Sequence, residues 1–121
     1  MDAERRRAPR YQFVADAELV ETKSGAKSRV RTGDLSLGGC FLDTLNPPPE
    51  GTDIQVTIFR ANCRFTAFGR VVVSFPRQGI GVAFAPVAPD QQPTLDEWLR
   101  ELELARRAEV IGAGSPEDYK P

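Results

Sequence analysis

The chain has 121 residues, 40% of them hydrophobic, and its 16 basic and 17 acidic residues leave a formal charge of −1. That length suits one domain with one modest core and leaves no room for a second. The balanced charge offers no footprint for bulk nucleic acid or an anionic membrane, so any anion must be bound locally. The absence of histidine excludes a Ser-His-Asp triad, an imidazole base and a histidine metal site.

Residues 1–10 carry Arg5, Arg6, Arg7 and Arg10 with almost no apolar surface, and are read as a flexible arm. They lack the apolar core of a signal peptide. No apolar run approaches the ~20 residues of a membrane span, which predicts a cytoplasmic protein without membrane insertion. From Tyr11 to Glu21, Phe13, Ala15, Ala17 and Leu19 alternate with Asp16 and Glu18, predicting one continuous strand with a single face in the core. Lys23 to Lys27 reads as a turn, and a second strand starts at Ser28 with Val30 inward. Leu35 then has the wrong parity for the core unless Gly33 introduces a bulge or bend.

The stretch Asp34-Leu35-Ser36-Leu37-Gly38-Gly39 sets a carboxylate and a hydroxyl on one side of an extended segment, because side chains alternate with period 2. In many turns such residues only bond their own backbone. Cys40 and Leu42 continue as a third strand, and Leu45 to Gly51, with three consecutive prolines, must be a loop. The fourth strand places Ile54, Val56 and Ile58 inward. The fifth, Arg64 to Phe75, places Phe65, Ala67, Gly69, Val71, Val73 and Phe75 on one parity, with a bend expected at Gly69. Pro76 to Gly79 is a turn, and Ile80, Val82 and Phe84 face inward from the sixth strand. Cys40 and Cys63 lack zinc or redox spacing and are expected to be buried, reduced thiols.

Six short antiparallel strands predict a mainly β fold: a small six-stranded antiparallel barrel over residues 11–88. After the break at Pro86 to Pro93 the period changes. Thr94 and Glu97 read as a capping box, and Leu95, Trp98, Leu99, Leu102 and Ala105 form an apolar stripe on a C-terminal helix assigned to 89–111. That stripe is expected to lie on the barrel, a partner-binding face being the alternative. Residues 112–121 are read as a disordered tail.

The spacing Arg6-x-x-x-Arg10, followed by Asp34-x-Ser36-x-x-Gly39 and the late Gly79-Ile80-Gly81-Val82-Ala83-Phe84, resembles the PilZ domain, a bacterial receptor module for cyclic di-GMP. The resemblance covers residues 5 to about 85 and implies a barrel that binds the dinucleotide. It implies that Arg6 and Arg10 are the motif arginines, that Arg5 assists with phosphate, and that Asp34, Ser36 and Gly39 form the second half of the site. These residue types fit such a ligand. An arginine fork pairs with phosphate oxygens or with guanine O6 and N7 and stacks on a base. The Asp34 carboxylate can accept from guanine N1 and N2, and glycine lets a base come close. Arg70 and Arg77 are further contributors to weigh, and Arg7 reads as a solvated neighbour. Ordering the arm costs about 1–2 kcal/mol per residue against about 1.5–3 for each charge-assisted hydrogen bond. Several contacts are therefore needed, and the arm is expected to be mobile when empty and folded over the barrel when the ligand is bound.

Catalysis is not expected. Gly79-Ile80-Gly81 lacks the third glycine of a dinucleotide fingerprint, no Gly-Lys-Ser/Thr loop exists, and no base stands ready to activate Ser36. The reading is a non-catalytic receptor, without metal or cofactor, that signals to an unidentified downstream protein. Its alternatives are a PilZ-like adaptor that binds no nucleotide, or a small-barrel single-strand nucleic-acid binder using Phe41, Phe59 and Phe68 as a stacking platform.

Overall fold

The structure is a computed structural model that describes the backbone of residues 8–114 and the side chains of residues 8–109. Arg5, Arg6 and Arg7, and the tail from Ser115 onward, lie outside the described residues. Among the described residues seven strands and one helix follow in order: β1 (Tyr11–Gln12), β2 (Asp16–Glu21), β3 (Lys27–Ser36), β4 (Gly39–Asp43), β5 (Asp53–Arg60), β6 (Cys63–Phe75), β7 (Gly79–Phe84) and α1 (Gln92–Gly114). All pairings are antiparallel. The order β3-β2-β5-β6-β7-β4 returns from β4 to β3, so six strands close into a barrel, and β1 is an extra strand beside the end of β3. Closure leaves the six barrel strands without a free edge.

The inward parities read from the sequence fill this barrel. Ala17, Leu19, Val30, Ile54, Val56, Ile58, Phe65, Ala67, Val71, Ile80 and Val82 are all buried in one cluster. Two departures from strict alternation shape the outside. Thr32 pairs with Leu42 and Asp34 with Phe41, leaving Gly33 as an extra residue, so Thr32 and Leu35 both reach the core despite their opposite parity. On β6 the extra residue is Val72, between Val71 paired to Val82 and Val73 paired to Gly81. The irregularity expected at Gly69 therefore sits three residues later. Gly69 instead permits a close approach of strands, since a Cβ there would lie 2.7 Å from the Ala83 carbonyl oxygen.

The strand expected from Tyr11 to Glu21 is interrupted at Phe13–Ala15. The cause is Thr32, fully buried, whose hydroxyl donates to the Phe13 carbonyl at 2.5 Å and accepts from the Ala15 amide at 2.8 Å. One side chain thus replaces ladder bonds, and β1 and β2 run along the same side of β3 as separate pieces. Cys40 is buried as expected. Cys63 is exposed, because it opens β6 directly after the two-residue turn Ala61-Asn62.

The helix begins two residues before the expected cap. Amides of Gln91 and Gln92 both donate to the Ala88 carbonyl, which starts the turn early, and Pro93 is tolerated in a first helical turn. Thr94 is therefore inside the helix, and Glu97 pairs with Arg100 instead of capping. The stripe divides into two parts. Leu95 and Trp98 are buried, the indole 5.6 Å from the Phe13 ring and 6.3 Å from Phe65, while Leu99 and Leu102 are half-buried and Ala105 is exposed. Arg60 reinforces the seat, donating to Glu101 at 2.8 Å with its guanidinium 5.5 Å from the Phe13 ring centre. No helix among the described residues is long and apolar enough to cross a membrane.

Candidate functional site

The β3–β4 hairpin turns through Leu37-Gly38, with Ser36 directly opposite Gly39. The Ser36 hydroxyl is buried and donates to the Gly39 carbonyl at 3.3 Å, so it tightens its own turn. Gly39 lies between β3 and β7, where a Cβ would collide with the Val82 carbonyl oxygen. Barrel closure alone thus requires glycine at this position, whatever binds outside.

Asp34 sits one step beyond the Gly33 bulge, paired to Gln12 on one side and Phe41 on the other. Arg10, at the head of β1, directs Nη1 to both of its carboxylate oxygens, at 3.1 and 3.3 Å. With side chains 62% and 28% exposed, this is a surface pair of about 0–1 kcal/mol, weak enough for another anion or donor to displace either partner. Behind it, burial pushes the Cys40 thiol up, Asp34 adds to the effect and Arg10 opposes it, so the sulfur stays protonated.

Arg10, Ser36 and Gly39 line one groove of about 480 Å³, together with Ala8, Gly38, Val72, Val82 and Ala83. Asp34 joins them through its pair with Arg10. The structure therefore gathers Arg10, Asp34, Ser36 and Gly39 at one end of the β3–β4 hairpin. Arg5 and Arg6 lie outside the described residues. Arg70 is held by Asp53 at 3.0 Å in an adjoining groove that shares Val72 and Ala83. Arg77 sits in the β6–β7 turn beside the Asp43–Gly79 pair, at the other end of β4 from Gly39.

Val72 was missed as a lining residue. Its signal is the run Val71-Val72-Val73, where alternation must fail somewhere, and the bulge leaves Val72 55% exposed on the groove wall. The three phenylalanines form no continuous platform. Phe41 packs on Phe75 at 6.3 Å, and Phe59 and Phe68 lie on β5 and β6, with Phe68 opposite Gln55, four residues along β5 from Phe59. No group of three or more Cys, Asp or Glu side chains placed to hold a metal ion occurs among the described residues.

The profile of the PilZ domain family matches residues 4–101. The chain belongs to the PilZ family. Known structures agree in fold. The PilZ domain of YcgR from Escherichia coli, solved with c-di-GMP, superposes with a TM-score of 0.69 at 19% identity, over 88% of this chain and 97% of that one. The Bacillus subtilis inhibitor of motility MotI/DgrA gives 0.68 at 16% identity, over 84% of this chain and 52% of that one. The PilZ domain of CeSA from a cellulose-synthesizing bacterium gives 0.65 at 16% identity, over 78% and 98%. At these identities the likeness is one of fold. A search of curated proteins gave no match.

Proposed function

We propose that this PilZ domain is a non-catalytic receptor for cyclic di-GMP, with Arg5, Arg6 and Arg10 engaging phosphate and guanine, and Asp34, Ser36 and Gly39 forming the wall they close against. The observation that carries the reading is the meeting of Arg10 with Asp34 beside the Ser36–Gly39 turn, on a chain whose family profile spans both motifs. One protein of similar fold, YcgR from Escherichia coli, is solved with c-di-GMP, which supports the choice of ligand. A dinucleotide with two phosphate charges and two guanine faces can use both halves of the ion pair: arginine for phosphate or the Hoogsteen edge, and the carboxylate for N1 and N2.

The weakness of the Arg10–Asp34 pair suits this role. An exposed pair holds β1 against β3 in the empty protein, yet a ligand that satisfies both groups replaces it at little cost. The arginine arm then closes over the groove, and a downstream protein reads the changed surface. The test is a calorimetric titration with cyclic di-GMP and with cyclic di-AMP. Preference for the guanine dinucleotide is expected, because adenine lacks the donors that Asp34 accepts. Equal affinity would remove Asp34 as a base-reading group, and no binding to either would leave the nucleotide-free adaptor as the better account.

A further inference from the structure

Tyr11 follows Arg10 and is bonded to the helix. It is 8% exposed, its hydroxyl donates to Glu103 Oε1 at 2.5 Å, and the Arg106 guanidinium lies 5.3 Å from its ring centre. The other Glu103 oxygen accepts from Arg107 at 3.0 Å. Two consecutive residues, one just before β1 and one opening it, thus hold different things: Arg10 grips Asp34 at the groove, and Tyr11 grips the helix at residues 103 and 106.

The helix has two halves with different supports. Leu95 and Trp98 seat the first half in the core, the indole against Phe13 and Phe65. From residue 104 to 109 every described side chain is exposed, Leu104 at 59%, and the contacts holding this half to the barrel run through Tyr11 and the groove that it lines with Gln12, Leu102 and Ala105. We infer that Tyr11 is a positioning residue that couples occupancy of the Arg10–Asp34 site to the seating of the distal half of α1. The inference rests on the reading of that site as the ligand site. The mechanism is mechanical. Residues 13–15 interrupt the strand and are held to β3 by the Phe13 amide on the Gly33 carbonyl, the Thr32 amide on the Ala15 carbonyl and the Thr32 hydroxyl, and whatever fixes Arg10 fixes Tyr11 one residue away. A ligand clamping Arg10 steadies β1, and the Tyr11–Glu103 bond transmits that order to residues 102–109.

The test is amide exchange of residues 102–109 against 95–99 in the full chain. Tyr11→Phe keeps the ring and its arginine but removes the hydrogen bond, and should lower protection of 102–109 by about two- to tenfold, the range of one side-chain hydrogen bond, while sparing 95–99. Without ligand, Asp34→Ala should lower protection of 102–109 in the wild-type background and not in the Tyr11→Phe background. A loss equal in both backgrounds, or absent from both, overturns the coupling. With cyclic di-GMP, protection of 102–109 should rise in the wild type and stay flat in Tyr11→Phe, although that variant still binds. A rise in both would also overturn it. Should the wild type bind no cyclic di-GMP, the ligand assignment falls, and the ligand-free comparison still decides the coupling.

Discussion

Replacing Trp98 by alanine tests how the helix is joined to the barrel. The indole is 4% exposed and touches two other core rings, Phe13 and Phe65. Burying an aromatic side chain of ~200 Å² at about 25 cal/mol per Å² gives an upper bound near 5 kcal/mol, to which the ring pairs add about 0.5–1.5 each. Partial collapse of the cavity brings the expected loss to about 3–5 kcal/mol. A domain of this size has a total stability of roughly 5–15 kcal/mol, so Trp98→Ala should lower the melting temperature by about 12–20 °C. Because Trp98 is the single tryptophan, urea unfolding should be followed by far-UV circular dichroism. The control is Leu104→Ala on the exposed face, expected within about 0.5 kcal/mol of wild type. A Trp98→Ala protein that melts within about 1 kcal/mol of wild type would refute the docked helix and make the stripe a free surface.

Other substitutions probe the scaffold and the tether. Gly39→Ala should destabilise by about 1–3 kcal/mol even without ligand, since its Cβ must push the Val82 carbonyl and open the β4–β7 pairing; a wild-type urea midpoint would contradict this. Ala61 holds φ at 55° in the β5–β6 turn, so Ala61→Gly should raise stability by about 1 kcal/mol by removing the left-handed penalty; a loss would mean that alanine is unstrained there. The Tyr11–Glu103 bond raises the Tyr11 pKa and lowers that of Glu103, where Arg107 adds to the effect. The Glu103 contribution is present above the ordinary glutamate value of 4.5 and fades as pH falls through its lowered one. The Tyr11 contribution is present below 10.0 and fades as pH rises through its raised value. The stability difference between wild type and Tyr11→Phe should therefore be widest between these limits and narrow on both sides, and a difference independent of pH would refute the bond.

Much of the barrel is legible because one face of each strand must be apolar: Ile54, Val56 and Ile58 could be placed inward from their spacing alone, and all three are fully buried. The Gly33 bulge follows from the same rule, since Leu35 cannot otherwise reach the core. What periodicity cannot carry is a long-range side-chain bond. Thr32 looks like any strand threonine, yet its hydroxyl breaks the first strand, and nothing local in Tyr11 or Glu103 announces a contact across 92 positions. The helix start was misplaced because Thr94 and Glu97 make a good local cap, while the turn from Ala88 to Gln92 begins the helix earlier. The two motifs single out Arg10, Asp34, Ser36 and Gly39, which the fold brings to one end of the β3–β4 hairpin. Their spacing does not say that Arg10 and Asp34 neutralise each other, or that Gly39 is demanded by Val82.

The most direct measurement is a parallel calorimetric titration of wild type and Arg10→Ala with cyclic di-GMP at fixed low salt. The account predicts a wild-type dissociation constant in the micromolar range, corresponding to about 8 kcal/mol. Arg10→Ala should bind at least about tenfold more weakly, the loss of one charge-assisted contact, with an unchanged melting temperature in the absence of ligand. A wild type that gives no heat, or an Arg10→Ala protein that binds as tightly as wild type, would contradict it.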